Sequence, residues 1–322
     1  MARRKKGRKV HGWLILDKPY DTGSTEAVSR MKWFGEAQKA GHAGTLDPLA
    51  TGILPIAFGE ATKTVPFVQD GLKTYRFTAR WGQRTATDDR EGDVIEENDV
   101  RPAKDAIEAA LPQFIGTIEQ IPPQFSAILV DGQRAYDLAR DGEDVELKSR
   151  EVEVEDFRLV EQPDADHAVF EAVVGKGTYV RALVRDIAEA LGTVAHVSDL
   201  RRTRVGPFGE DQAVTMDDVT GFPSSEKIPA DARDHGRFDE HLVPISEAMA
   251  EYPKEKVENF EAARLRSGQG VILTPIRAKA LRAGEVGQLD TVLAEDDLGE
   301  VALCRLDGLT LAPVKVFQLA AN

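Results

Sequence analysis

Residues 41–59 read Gly-His-Ala-Gly-Thr-Leu-Asp-Pro-Leu-Ala-Thr-Gly-Ile-Leu-Pro-Ile-Ala-Phe-Gly. In the first twelve of these residues, three glycines, one proline and two threonines surround a single carboxylate, Asp47. These residue types favour a tight loop, and the apolar run 53–58 that follows predicts a short buried strand. Asp47 is therefore either a catalytic carboxylate held by the loop or an ordinary turn aspartate that binds its own backbone.

Further motifs lie on both sides of this loop. Lys18-Pro19 follows an apolar run at 13–16, and residues 74–81 alternate so that Tyr75 begins an apolar face. Taken alone, Tyr75 would be an ordinary core tyrosine. The remaining motifs are Gly82 with Thr85, Thr87 and Asp88, Pro122-Pro123-Gln124-Phe125-Ser126-Ala127, Lys176-Gly177-Thr178-Tyr179-Val180-Arg181 with Arg185-Asp186, and Leu200-Arg201-Arg202-Thr203.

From about residue 11 to about residue 209, this set of motifs resembles the TruB-type tRNA pseudouridine-55 synthases. The essential residue of that family is an aspartate in a Gly-His-x-Gly-Thr-Leu-Asp-Pro-x-Ala-x-Gly context, and Asp47 falls on it. The resemblance implies an enzyme that isomerises a uridine in the T-loop of tRNA, position 55, to pseudouridine. It also implies an α+β fold, with a mixed, largely antiparallel sheet and flanking helices.

The same resemblance implies roles for the site residues. Asp47 is the nucleophile or base, Arg181 pairs with it and keeps it ionised, and Tyr75 stacks on a uracil flipped out of the RNA. The expected substrate contacts are Tyr179 and Leu200 in the base pocket, His42 in the gap left in the RNA stack, and Lys18 at the catalytic loop or a phosphate. The reaction needs no metal or other cofactor. Attack on ribose C1′, attack on uracil C6 and proton abstraction from C2′ all use the same carboxylate and stay open.

Two positions depart from the family pattern. Phe125 stands where the family usually has tyrosine, which keeps the ring and loses a hydroxyl. Leu129 stands where the family often has lysine, which removes a cation from a loop expected to face RNA. The second departure is expected to weaken phosphate contact rather than chemistry.

The charge of the chain bears on the choice of partner. A net charge of −14 argues against nucleic acid, but six of residues 3–9 are basic and Arg201, Arg202 and Arg204 form a second cluster, so local basic patches remain compatible with RNA. The single cysteine, Cys304, excludes an intrachain disulfide. No apolar run reaches the roughly eighteen residues that span a bilayer. With no targeting signal visible, the cytoplasm is expected.

The chain is expected to divide into four parts. Residues 1–10 form a basic tail, 11–220 the catalytic domain, 221–244 a linker or surface excursion, and 245–322 a small β module that resembles the RNA-binding PUA domain. Within the catalytic domain, Ser24 or Thr25 is predicted to cap a helix that runs to Phe34. Thr178 is predicted to cap a second helix after the Gly175-Lys176-Gly177 turn.

Two other classes of function stay open. The chain could be an RNA-binding protein or tRNA chaperone on the synthase scaffold, although intact Asp47, Tyr75 and Arg181 argue against that as its sole role. It could also belong to a guided ribonucleoprotein. The reading preferred from the sequence is a stand-alone monomeric enzyme that binds the T-arm of tRNA, with no membrane and no obligate protein partner.

Overall fold

The computed structural model describes residues 7–125, 129–130, 133–134, 147–224, 226–283 and 289–319, with the backbone alone at 129–130 and 133–134. The strands are β1 (Gly12–Lys18), β2 (Ala40–His42), β3 (Thr51–Phe58), β4 (Lys73–Trp81), β5 (Gln83–Thr85), β6 (Val94–Glu97), β7 (Gly116–Gln120), β8 (Leu129–Val130), β9 (Gln133–Arg134), β10 (Arg150–Glu161), β11 (His167–Val174), β12 (Ala195–Val205), β13 (Phe208–Gly209), β14 (Lys254–Lys256), β15 (Val271–Ile272), β16 (Leu289–Asp296), β17 (Gly299–Asp307) and β18 (Thr310–Val316).

The helices are α1 (Ser24–Phe34), α2 (Val65–Asp70), α3 (Lys104–Ala110), α4 (Val180–Ala190), α5 (Met216–Thr220), α6 (His235–Glu240), α7 (Asn259–Arg266) and α8 (Pro275–Leu281). Short 3-10 turns lie at Gly59–Lys63, Leu111–Phe114, Glu210–Gln212, Ala230–Ala232 and Ile245–Met249. In the described part of the chain, no helix combines the length and the apolar character needed to cross a membrane.

Nine strands form the main sheet of the described residues. The spatial order is β1-β3-β12-β4-β11-β10-β7, with β2 beside β3 and β13 beside β12. Neighbouring strands are antiparallel, except that β12 and β3 run parallel where Arg201 and Arg202 pair with Thr51 and Gly52. This mixed, largely antiparallel sheet with flanking helices confirms the predicted α+β class.

Helix α4 packs on the main sheet through one apolar face. Val180, Val184 and Ile187 share one buried cluster with Phe77 and Trp81 of β4. The alternation along β4 therefore does place one row of side chains in the core, and helix α4 covers that row. This packing fixes the first turn of α4, which carries Arg181, beside the sheet.

Both predicted helix caps are wrong. Gly23 is the N-cap of α1, while the hydroxyl of Ser24 donates to the Leu46 carbonyl and accepts from the Leu46 N–H, both at 2.8 Å. Tyr179 is the N-cap of α4, and its N–H donates to the side-chain oxygen of Gln120 at 2.8 Å. Because these partners are distant in sequence, the local residue pattern did not show them.

The predicted tail and linker are both partly packed on the catalytic fold. Residues 1–6 lie outside the described residues, but Arg8 forms an ion pair with Asp239, and Val10 is buried. In the segment 221–244, α6 buries Phe238, whose ring centroid lies 5.2 Å from that of Phe58. The described part of this segment is therefore attached to the catalytic fold rather than a free connection.

A second sheet follows, with five strands in the order β14-β16-β17-β18-β15 among the described residues. Its own core includes Leu265 of α7 and Leu306 of β17. A separate apolar cluster joins the two sheets, since Trp13 of β1 packs in it together with Leu303 and Phe317. The C-terminal part therefore shares buried apolar surface with the catalytic part.

Candidate active site

The loop that carries Asp47 is held by a buried arginine. Arg202 is 1% exposed, and its guanidinium donates to three backbone carbonyls: Nε to Ile53 at 2.8 Å, Nη1 to Thr45 at 3.3 Å and Nη2 to Gly44 at 3.1 Å. Gly52 permits the backbone of Arg202 to pair closely with it, because at its φ of +99° a Cβ would lie 2.1 Å from the Arg202 carbonyl oxygen. One side chain of β12 thus ties both ends of the loop to the sheet.

Lys18 holds the other side of the loop. Its ammonium is buried and donates to the carbonyls of Pro19 at 2.9 Å, Thr22 at 2.7 Å and Pro48 at 3.1 Å. Burial lowers the pKa of Lys18 to about 8, against the opposite effect of the Asp47 carboxylate. Of the two roles expected for Lys18, these contacts correspond to support of the loop.

Arg181 meets Asp47 in an ion pair. Nη2 lies 2.9 Å from Asp47 Oδ2 and also donates to the Phe125 carbonyl at 3.0 Å. Nη1 donates to the Thr87 carbonyl at 3.0 Å and lies 3.3 Å from Asp89 Oδ2. The Arg181 side chain is 7% exposed and that of Asp47 is 43% exposed. A buried cation is therefore paired with a carboxylate that a substrate can reach.

Asp89 was not among the residues predicted for the site. It accepts from Thr87 Oγ1 at 2.5 Å and from the Glu91 N–H at 3.0 Å, in addition to its contact with Arg181. The preceding residue, Asp88, has a left-handed backbone with a φ of 58°. The carboxylate of Asp88 faces Arg185 instead, with 3.5 Å between Oδ2 and Nη1. The signals available in the sequence were the Asp88-Asp89 doublet and the spacing of Arg181 and Arg185, which places these arginines one helical turn apart.

Asp47, Asp89 and Arg181 lie together in the wall of a cleft that is open to solvent. Three of the predicted site residues, Asp47, Arg181 and Leu200, lie together in its wall. The full lining is Asp47, Leu49, Ala50, Asp89, Arg90, Arg181, Val197, Ser198, Asp199 and Leu200. Among the residues that the structure describes, no three His, Cys, Asp or Glu side chains are grouped to hold a metal ion.

Two predicted site residues lie beside this cleft rather than in its described lining. Tyr75 is half-buried on β4 and packs against the same core as Leu200. It pairs with Arg202 across the sheet. Tyr179 lies at the N-terminus of α4, where the guanidinium carbon of Arg150 is 5.0 Å from its ring centroid.

His42 lies at the end of β2, at the start of the loop. Burial and the nearby cation of Arg202 lower its pKa. Its Nδ1 is buried, and a contact with the backbone of Gly44 acts in the opposite direction on the pKa. The lowered pKa favours the neutral imidazole of His42, directly before the loop that carries Asp47.

The second basic cluster of the sequence does not form an open patch. Arg202 is buried in the loop contacts, and Arg201 is paired with Asp17 at 2.8 Å and with Glu210 at 2.6 Å. Arg204 donates to the Gly206 carbonyl at 2.9 Å. Of these three arginines, Arg204 is exposed and has no carboxylate partner among the described residues, so the cluster offers one open cation rather than three. Local charge counting does not show the partners of Arg201 and Arg202.

Comparisons with known proteins show which family this chain belongs to. The model of the TruB family pseudouridylate synthase N-terminal domain matches residues 32–180, and that of the tRNA pseudouridylate synthase B C-terminal domain matches residues 181–250. The two family models and the fold thus define a pseudouridylate synthase. A relative from Caulobacter vibrioides, tRNA pseudouridine synthase B, is 53% identical over 99% of this chain and 100% of its own. One from Agrobacterium fabrum, with the same name, is 54% identical over 84% of this chain and 85% of its own. The chain belongs to the TruB family.

Solved structures show the same fold. In the crystal structure of a Cbf5-Nop10-Gar1 complex, one chain is 26% identical with a TM-score of 0.69, over 96% of this chain and 85% of that one. A chain in the structure of an H/ACA RNP bound to a substrate RNA is 22% identical, also with a TM-score of 0.69, over 99% of this chain and 92% of that one.

Proposed function

We propose that this protein isomerises uridine to pseudouridine in tRNA, and that its target is the uridine at position 55 in the T-loop. The observation that carries the proposal is the 2.9 Å ion pair between Arg181 and a solvent-accessible Asp47 in the cleft. The relatives named tRNA pseudouridine synthase B support both the reaction and the class of substrate.

The chemistry assigns the central role to Asp47. Isomerisation breaks the bond between ribose C1′ and uracil N1 and forms a bond to C5, so it needs a group that attacks covalently or removes a proton. Arg181 stabilises the negative charge of Asp47 and fixes its direction while the bound nucleotide excludes water. Attack on C1′, attack on C6 and abstraction of the C2′ proton all begin from this geometry.

The base has to leave the RNA fold to reach this cleft. Leu200 in the cleft wall provides an apolar contact for the flipped uracil, and Tyr75 stacks on its ring. Tyr179 closes the base pocket from the start of α4. His42, neutral and beside the loop, fills the space that the base leaves in the RNA.

We further propose a role for each part of the chain. Residues 11–220 form the catalytic domain, and the described segment 221–244 connects it to a PUA-like module at 245–322 that adds RNA-binding surface. The enzyme works as a monomer in the cytoplasm, without an obligate protein partner. The five-stranded C-terminal sheet, with α7 and α8 beside it, supports the assignment of the module.

A guided ribonucleoprotein is the second candidate, because the structural neighbours come from a Cbf5-Nop10-Gar1 complex and an H/ACA RNP. One experiment separates the two. Purified protein is incubated with unmodified tRNA and with an isolated T-arm hairpin, with Asp47→Asn as control, and pseudouridine is mapped. Conversion of both RNAs without a guide or partner is expected, since T-arm recognition by shape needs the arm alone. Conversion only of some other RNA, or only with a guide, would overturn the proposal.

A further inference from the structure

One exposed arginine stands at the cleft without a carboxylate partner. Arg90 follows Asp89 directly and lies in the cleft wall with Asp47. Its guanidinium carbon is 4.5 Å from the ring centroid of Tyr20, which is itself 48% exposed. Across the described residues, no ion pair or hydrogen bond involves Arg90, so the stack on Tyr20 is its principal contact.

The charges around the cleft make this arginine distinctive. Asp47, Asp89 and Asp199 all lie in the cleft wall. The charges of Asp89 and Asp47 also act on nearby Glu91. Arg181, the other cation of the wall, is occupied by two carboxylates and two carbonyls. A nucleotide that enters the cleft brings a phosphodiester group toward these acids, and that approach is unfavourable unless a free cation receives it.

We propose that Arg90, stacked on Tyr20, binds the phosphodiester group next to the nucleotide that enters the cleft. The inference rests on the proposed function, since it takes the substrate to be RNA. A guanidinium held over an aromatic ring can still offer its N–H groups to a ligand, and their fork matches two phosphate oxygens. Tyr20 acts as a positioning residue, because its ring holds the guanidinium plane at the cleft before RNA arrives.

The first test removes the charge. In Arg90→Ala, KM for tRNA is expected to rise about fivefold while kcat stays within about twofold, because a phosphate contact serves ground state and transition state alike. The slope of log Kd against log salt is expected to fall by about 0.7 to 0.9, the loss of one phosphate. Arg90→Lys retains the charge and is expected to keep that slope while losing part of the affinity.

Arg76→Ala is the matched control. Arg76 is an exposed arginine of β4 whose side chain points to the sheet face opposite Phe77, and thus away from Leu200. Arg76→Ala changes the net charge by the same amount as Arg90→Ala. Because Arg76 points away from the cleft, this variant is expected to keep the wild-type KM and salt slope. If Arg76→Ala weakens tRNA binding as much as Arg90→Ala does, the effect is general electrostatics and the proposal is overturned.

A double-mutant cycle tests the stack. Tyr20→Ala is expected to raise KM about threefold, Tyr20→Phe to leave it unchanged, and the effect of Arg90→Ala to shrink in the Tyr20→Ala background. Independent, additive effects would show that Tyr20 does not position Arg90. Failure of this inference can be distinguished from failure of the proposed function. If wild type does not convert tRNA, the proposed function is wrong. If wild type is active and Arg90→Ala has unchanged KM and salt slope, only this inference is wrong.

Discussion

Arg181 Nη1 lies 3.3 Å from Asp89 Oδ2, so the arginine that binds Asp47 is itself held by a second carboxylate. Each Nη atom contacts a different carboxylate: Nη2 contacts Asp47 and Nη1 contacts Asp89. A planar guanidinium fixed at both atoms can turn little, and the direction of the Asp47 carboxylate is set with it. This arrangement leads to three separate expectations for activity.

Asp47→Asn is expected to abolish turnover while tRNA affinity stays within about tenfold of wild type. The amide has the shape of the carboxylate but neither its charge nor its nucleophilicity, whereas binding depends on RNA shape and phosphate contacts. Single-turnover conversion and a filter-binding Kd for tRNA measure the two effects. Near-normal isomerisation by this variant would refute the role of Asp47.

Arg181→Lys is expected to be nearly as damaging as Asp47→Asn. One ammonium nitrogen cannot reach Asp47, Asp89 and the carbonyls of Thr87 and Phe125 at once, because the four partners surround two separate nitrogens. The test is the single-turnover rate at saturating enzyme, with urea unfolding to exclude a folding defect. A rate close to wild type would mean that positive charge alone suffices.

Asp89→Asn is expected to lower kcat about tenfold with little change in KM. The amide keeps the size of the side chain but loses the charge that restrains Arg181, which then positions Asp47 less well. Asp199→Asn is the matched control, since Asp199 lies in the same cleft wall and, among the described residues, makes no hydrogen bond or ion pair with Arg181. Equal effects of the two substitutions would show that only the overall charge of the cleft matters.

The sequence predicted the elements better than the contacts around the loop. Alternation along β4 and the apolar face of α4 were visible locally, because each depends on the repeat of one element. Local charge counting, in contrast, placed Arg202 in a basic cluster. Its actual partners, the carbonyls of Gly44, Thr45 and Ile53, are about 150 residues away, and only the parallel pairing of β12 with β3 brings them within reach.

Arg202→Met is expected to lower the free energy of unfolding by about 3 to 5 kcal/mol, because it leaves buried carbonyls without donors at the catalytic loop. Arg201→Met, one position earlier on the same strand, removes two partly exposed ion pairs, with Asp17 and Glu210, and is expected to cost only about 1 kcal/mol. Urea unfolding of both variants measures the difference. Equal losses would mean that the carbonyl contacts of Arg202 add nothing beyond an ordinary ion pair.

Lys73 gives a prediction about pH. Burial, with a smaller effect of Arg202, lowers the pKa of Lys73 from 10.5 to about 8. Below about pH 8 both the folded and the unfolded chain carry the proton, and the folded chain bears the cost of the buried charge. Between about pH 8 and about pH 10.5 the unfolded chain binds the additional proton, so the contribution of Lys73 to the free energy of unfolding rises with pH.

The measurement compares wild type with Lys73→Met by urea unfolding at several values between about pH 7 and about pH 10. The free energy of wild type minus that of the variant is expected to be flat below about pH 8 and then to rise by up to about 1.4 kcal/mol per pH unit. Lys104→Met, which removes an exposed lysine of α3, controls for the change in lysine number and is expected to run parallel to wild type. A wild-type-minus-Lys73→Met difference that stays flat to about pH 10 would show that the buried ammonium keeps its ordinary pKa, because its bonds to the Gln69 and Gly71 carbonyls then offset the cost of burial.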